Sequence, residues 1–304
     1  MKDERGAQAA AYLRMLLVRA GEPRSIWAKH APDARSGEID TAAVAEVLRD
    51  NAGARTIRAA LDGTAVSNQT LELFIEAFRL SPRHASRLRS IMDGSDSVRV
   101  VAGSAGGALA DVSQSPGPPR PGTDHHQMAR HETLAAHELH TLGPDGLPAE
   151  HQTIQVIRST VDGLATHALR FDTDELVVEV VRGGRVGDLY RVDETLFGVD
   201  IVLDRPLAKG ETALMHYRTT FGYRTPPPPE LRRGTSRVMR DVTLWVQFHR
   251  DRLPARVWLA RWDRLDHATV TEQQPVDLDG EFSVQARYDK IEQVIVGFHW
   301  EWDS

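Results

Sequence analysis

The chain has 304 residues, 41% of them hydrophobic and 26% charged, a length that points to two domains and a composition that excludes wholesale disorder. It contains no cysteine, which rules out disulfides, thiolate zinc sites and cysteine nucleophiles and points to an intracellular setting. The net charge of −6 argues against a general polyanion binder, yet residues 1–100 hold 15 Lys and Arg against 13 Asp and Glu, leaving 22 against 30 for the rest. The first third is therefore the part compatible with nucleic acid.

At the start, the Leu/Met/Val cluster is bracketed by Arg14 and Arg19 with no small-residue cleavage site after it, so it reads as a helix and not as a signal peptide. Nothing approaches the roughly 18 apolar residues of a membrane span, and a cytoplasmic protein is expected. Tyr12, Leu13, Leu16, Leu17 and Ala20 recur at helical spacing, with Gly21 and Pro23 as the stop. Asp40 or Thr41 caps a second helix through Val44 and Leu48. A third covers Ala54–Leu61 and ends at Gly63, a fourth runs from Ser67 or Asn68 through Phe78, and Ser81-Pro82 opens a fifth that ends at Gly94. Residues 1–97 thus form an all-α domain of five helices.

Residues 98–149 read as a linker. Its stretch 102–124 is Gly, Ser, Pro and Ala with almost no large apolar side chain, and a His-rich stretch with room for a short helix follows. His125, His126, His131, His137 and His140 invite a metal, but the run lacks the HExxH arrangement, so it is read as solvated and no metal site is assigned.

From residue 150 to 304 the period changes to two. Val242, Leu244, Val246 and Phe248 alternate with polar neighbours, as do Val294, Val296, Phe298, Trp300 and Trp302, and similar runs recur between turn signals such as Asp162-Gly163 and Asp279-Gly280. Eight or more short strands without intervening helices predict an antiparallel β-sandwich. Trp300 and Trp302 fall in the core phase. Trp245 breaks its strand's apolar phase, and with Trp258 and Trp262 it is the candidate surface for a ligand or a partner. Arg232, Arg233, Arg237 and Arg240 lie beside a proline-rich loop and read as solvation. No nucleophile elbow, P-loop or GxGxxG is present, so neither an enzyme nor a cofactor is expected.

The helical third has a positioning helix, a turn at "RDNAGA" and a second helix in which Ile57 and Leu61 face inward while Arg55, Thr56 and Arg58 face out. Its run "TIRAALDGTAVSNQTLELFIEAFRLSPRHASRLRSI" resembles the lambda-repressor-like, XRE-type helix-turn-helix domain of many actinobacterial regulators. The resemblance covers about a third of the chain. It implies groove reading by Arg55, Thr56 and Arg58, phosphate contact by Thr41, Asn68 and Gln69, and a homodimer on two half-sites. It departs from the family in a longer segment between the first two helices and in Glu46 on the positioning helix. The second half is similar to the uncharacterised sandwich appended to such domains. The expectation is a DNA-binding transcriptional regulator whose sandwich senses a ligand or docks a partner, against the alternative of a cytosolic adaptor whose helices bind protein.

Overall fold

In the computed structural model the described residues are 2–19, 21–34, 38–49, 51–95, 98–101, 130–171, 173, 175–191, 197–223, 226–235, 237–264 and 269–303. The proline- and glycine-rich stretch 102–124, with His125 and His126, lies outside them.

Among the described residues six helices, not five, occupy the first third: α1 Lys2–Val18, α2 Glu22–Ala28, α3 Thr41–Leu48, α4 Ala54–Leu61, α5 Asn68–Ala77 and α6 Pro82–Asp93. The sixth arises where a stop was expected. Gly21 at φ 133° breaks α1, and Pro23 in the first turn then opens α2, because proline lacks only an N–H that a helix start leaves unbonded anyway. That short helix seats Trp27, fully buried, whose Nε1 donates to the Leu17 carbonyl at 3.0 Å. The other starts follow their capping residues. Asp40 accepts from the Ala43 amide, Ser67 from Thr70 and Ser81 from His84, while Gly94 in the left-handed region ends α6.

All remaining elements among the described residues are strands: β1 Val98–Val101, β2 His131–Leu142, β3 Pro148–Ser159, β4 Leu164–Phe171, β5 Leu176–Arg182, β6 Gly184–Arg191, β7 Phe197–Leu207, β8 Thr212–Phe221, β9 Glu230–Thr235, β10 Met239–Gln247, β11 Arg256–Trp262, β12 Val270–Pro275, β13 Ser283–Ile291 and β14 Val294–Glu301. They build three sheets, ordered β1-β5-β8-β3-β2-β10-β13, β12-β11-β14-β9 and β4-β7-β6. The simple antiparallel sandwich is thereby corrected on two counts. Three sheets replace two, and β2 runs parallel to β10 within the large one. The expected linker also contributes β1 and β2, and the described part of the His-rich stretch, His131–Leu142, is a strand of 12 residues instead of a helix. Its alternation is masked in the sequence because a bulge between Thr133 and Ala135 shifts the phase, so Thr133 and Ala136 both turn inward.

The large sheet is a floor shared by two smaller covers. Over β5, β8 and β3, one apolar cluster joins Leu176, Val178, Val180, Met215 and Ile157 to Leu169, Val199 and Ile201 of the three-stranded sheet. Over β2, β10 and β13, another joins Ala136, Leu244, Val246 and Val284 to Val257, Val296, Phe298 and Trp300 of the four-stranded sheet. Each cluster removes large apolar area from water at roughly 25 cal/mol per Å².

On the opposite face, the helices pack onto the β1–β5–β8 end, where Val98 and Val177 belong to the same core as Tyr12, Leu16, Phe74 and Leu88. Arg87 of α6 is buried at this junction. It donates to the Tyr12 hydroxyl at 3.0 Å and the Thr220 hydroxyl at 2.6 Å and pairs with Glu179, with Glu150 3.8 Å away. Arg19, near the end of α1, donates to the carbonyls of Phe221 (2.8 Å) and Leu147 (3.2 Å) and pairs with Asp145. The helices are thus welded to the sheet by polar as well as apolar contacts. Among the described residues, no helix is long and apolar enough to cross a membrane.

Removing the Arg87 side chain leaves Glu179 and Glu150 facing each other beside a buried phenol, so Arg87→Ala is expected to destabilise the fold by about 3 kcal/mol, the lower end for a broken buried pair because both carboxylates keep some solvent. Chemical denaturation followed by tryptophan fluorescence measures it. A loss under about 0.5 kcal/mol, the level of an ordinary surface change, would show that the network holds nothing together.

Candidate functional site

Two places combine exposure with chemistry, the outer face of α4 and a pocket where the three sheets meet.

The α4 sequence alternates so that Ile57, Ala60 and Leu61 are buried while Arg55, Thr56 and Arg58 are exposed. Thr41 at the start of α3, and Asn68 and Gln69 at the start of α5, are exposed as well. α4 packs on α1 and α3, and α3 also touches α5, so the six expected DNA-contacting residues come from three neighbouring helices. Three other exposed arginines of the helical part are engaged, while Arg49 at the end of α3 is exposed like Arg55 and Arg58. Arg89 makes a two-pronged pair with Glu72, and Arg79 and Arg83 pair with Glu22 and Glu150. Among the described residues, Arg55 and Arg58 make no such pair.

The tryptophans do not form one surface. Trp245 lies on the outer face of the large sheet, half-buried, with its indole N–H buried and unpartnered. Trp258 and Trp262 lie on β11 of the small four-stranded sheet, on the side away from its core residue Val257. There Trp258 stacks on His299 at 4.8 Å and Trp262 meets the same ring edge-on, which leaves Trp262 buried.

The pocket lies in the seam between the two covers. Its volume is about 250 Å³, and it is lined from β2 by His131 and Thr133, from β3 by His151, Thr153 and Gln155, from β4 by His167 and Arg170, and from β8 by Tyr217 and Thr219. Arg233 of β9 and, toward the mouth, the exposed Arg130 and Arg237 complete it. Gly297 allows β9 to lie this close, since a Cβ there would meet the Leu231 carbonyl oxygen at 1.9 Å. The inward residues of the large sheet change from apolar to polar along this seam, with Thr153 and Gln155 preceding Ile157 on β3 and Tyr217 and Thr219 following Met215 on β8.

A hydrogen-bonded row crosses the pocket. Gln155 Nε2 lies 2.8 Å from His167 Nε2, the Gln155 amide reaches the Tyr217 hydroxyl at 3.5 Å, and His131 meets His167 edge-on at 5.0 Å. Behind it, the buried Glu138 carboxylate pairs with Arg233 at 3.2 Å and His151 at 3.6 Å. Burial by itself would raise that carboxyl, but Arg233, His151 and His140 together hold it down to about 2. Burial dominates at the histidines, with neighbouring cations adding to it. His131 is pushed down to about 4, also by Arg237 and Arg233; His167 falls to about 3, also by His131 and Arg233; and His140 falls to about 3, also by His151. These rings are neutral near pH 7.

Of the pocket, the sequence reading singled out only His131, as part of a solvated stretch, and Arg233 and Arg237, as loop solvation. Arg233 is on a strand and paired with buried Glu138. His137 and His140, three apart on β2, point to opposite faces, with His137 exposed and His140 buried.

No family model matches the chain, and no curated protein matches it either. Among solved structures, it is similar to a putative protease from Parabacteroides distasonis, with 9% identity over 56% of this chain and 40% of that one at a TM-score of 0.36. An M1 zinc metallopeptidase from Deinococcus radiodurans, in a form bound to a Tyr-Ser-Ala substrate, shares 13% over 55% and 42% of the two chains at 0.29. The chain therefore spans less than half the length of these proteins. Scores this low leave family and activity unassigned.

The histidines carry a pH dependence. The unfolded chain takes up protons on these rings below about pH 6.5, while the folded chain refuses them until about pH 4 or lower. Stability is therefore complete above about pH 6.5 and is lost as the pH falls from there toward 4, by about 1 to 3 kcal/mol per ring. Melting temperatures from pH 7.5 to 4.5 should fall, and His167→Asn should fall less steeply than the parent. A parent curve that is flat, or that rises toward acid, would contradict the buried neutral state of these rings.

Proposed function

We propose that the protein is a DNA-binding regulator of the lambda-repressor-like, XRE type, acting in the cytoplasm, with the helical part on duplex DNA and the β part as the half that holds a ligand. The observation that carries this reading is α4. A helix whose inward stripe is Ile57, Ala60 and Leu61 presents two unpaired arginines and a threonine to solvent, side chains that fit a major groove and pair with guanine or phosphate. Thr41, Asn68 and Gln69 supply flanking hydroxyl and amide donors at the first turns of α3 and α5, where backbone N–H groups also point at phosphate. The helical part alone has an overall charge near neutral, so specific binding draws on a second copy and a second half-site.

Because α1 and α6 share their core with the large sheet, the test uses the full chain. Fluorescence anisotropy on duplexes selected from a random library should give an affinity that falls steeply between about 50 and 200 mM salt. Arg58→Ala should cost about 1 to 3 kcal/mol in binding to the selected site while leaving the melting temperature nearly unchanged. Ile57→Ala should cost roughly 2 to 5 kcal/mol of fold stability instead. If no duplex is selected, or if Arg55→Ala and Arg58→Ala bind like the parent, the DNA-reading assignment is lost and α4 is an interaction face for protein.

A further inference from the structure

We infer that the pocket between the three sheets binds a compact hydroxylated organic anion, with the charge as a phosphate or carboxylate held by Arg170 and the mouth arginines and the hydroxylated body held by Gln155, Thr153 and Tyr217. This rests on the reading of the β part as the ligand-holding half and does not depend on DNA binding.

Three observations carry it. The lining holds Arg130, Arg170, Arg233 and Arg237 and no carboxylate among the described residues. Of the acidic groups nearby, Glu138 is matched by Arg233 and His151, and Glu132, which also feels Arg237, is paired with Arg158. Arg130 and Arg170 thus leave positive charge in excess where the cavity opens, and low-dielectric walls strengthen its pull on an anion.

Second, polar atoms around the cavity are buried without partners: Nε and one terminal nitrogen of Arg170, Nδ1 of His131, Nδ1 of His167 and Oε1 of Gln155. Buried polar groups are nearly always bonded, and leaving one unbonded costs about 1 to 3 kcal/mol. Several such groups around one cavity are the pattern left when a ligand's partners are preorganised. With Gln155 Nε2 donating to His167 Nε2, His167 carries its proton on Nδ1, so the orphan set contains donors for an anion and, in the Gln155 carbonyl, an acceptor for a hydroxyl.

Third, size and lining limit the guest. A cavity of about 250 Å³ lies just below the usual 300 to 1,000 Å³ of small-molecule sites. Thr133, Thr153, Thr219, Gln155 and Tyr217 line it, with Leu164, Leu169, Phe171, Val238 and Met239 as its large apolar groups. A flat aromatic or lipid-like guest would leave these hydroxyl and amide groups unpaired. A polyhydroxylated one satisfies them.

The experiment is isothermal titration calorimetry on the full chain, without DNA, using glucose 6-phosphate, citrate and inorganic phosphate as anionic probes and glucose as the neutral control. Absence of DNA separates this result from the fate of the regulator reading. At least one organic anion should bind with one-to-one stoichiometry and raise the melting temperature, and glucose should bind at least tenfold more weakly. Arg170→Gln should weaken the anion at least tenfold, and Gln155→Leu should weaken the hydroxylated organic anions but not inorganic phosphate. Arg170→Gln should melt within a few degrees of the parent, because its buried nitrogens have no partner in the fold. Gln155→Leu gives up the bond to His167 and should melt lower while remaining folded, so its effect is read as the difference between the organic anions and inorganic phosphate on the same variant. Failure of all three anions to bind overturns the inference, as does binding that survives both substitutions or glucose binding equal to glucose 6-phosphate. Tight binding of inorganic phosphate alone overturns the hydroxylated-guest half of it.

Discussion

A seven-stranded sheet has more inner face than a three- or four-stranded layer can cover, and most of this molecule's architecture follows from that mismatch. Two small sheets lie side by side on one large floor. Each of them closes an apolar core, and between them runs a strip that neither covers fully. An apolar strip there would be an exposed hydrophobic patch of the kind that drives association. The chain places Thr133, Glu138, His140, Thr153, Gln155, Tyr217 and Thr219 along it instead, and the pocket is what remains where the covers fail to meet. Packing geometry thus creates the cavity, and side-chain choice makes it polar.

Burying that much polarity has to be offset. Glu138 and Arg233 do so for each other across β2 and β9, and the histidines do so by staying neutral. A buried pair of this kind is poor evidence for stability, since well-packed apolar residues serve as well or better. Its effect is to specify geometry, because it sets Arg233 on the inner face of β9 and thereby the position of that strand relative to β2. The same logic applies at the other face of the floor. Arg87 sits where two carboxylates, a phenol and a threonine hydroxyl converge from α1, β3, β5 and β8, so the helices dock in one orientation.

That docking bears on how the two halves communicate. α1 touches both β1 and α4, so α4 is two contacts away from the large sheet. The inner face of β3 and β8 lines the pocket, while Thr220 of β8 and Glu150 of β3 receive Arg87 and its neighbour Arg83 on the outer side. The same two strands therefore serve both sites, through alternate residues of a rigid ladder.

How much of this was legible beforehand can be judged element by element. Local rules were enough to place the cap at Ser81, to narrow the others to Asp40 or Thr41 and Ser67 or Asn68, and to find the inward pair Ile57 and Leu61 and strands β10 and β14, because each depends on residues within a turn or two or on strict alternation. The Gly21–Pro23 pair misled since the same residues that end one helix can start the next, and β2 was hidden because a bulge breaks its alternation and polar residues occupy its inward side. The count of sheets, the parallel β2–β10 pairing and the pocket itself lie beyond any local pattern. They depend on which strand lies beside which, with partners about a hundred residues apart, as between Thr133 and Met239. By itself the sequence determined that the chain is helical first and β afterwards, and which faces of its regular elements are apolar, since those are properties of neighbours in the chain. Only the tertiary structure decided that histidines and arginines from four separate strands share one cavity, because that requires the covers to be placed on the floor.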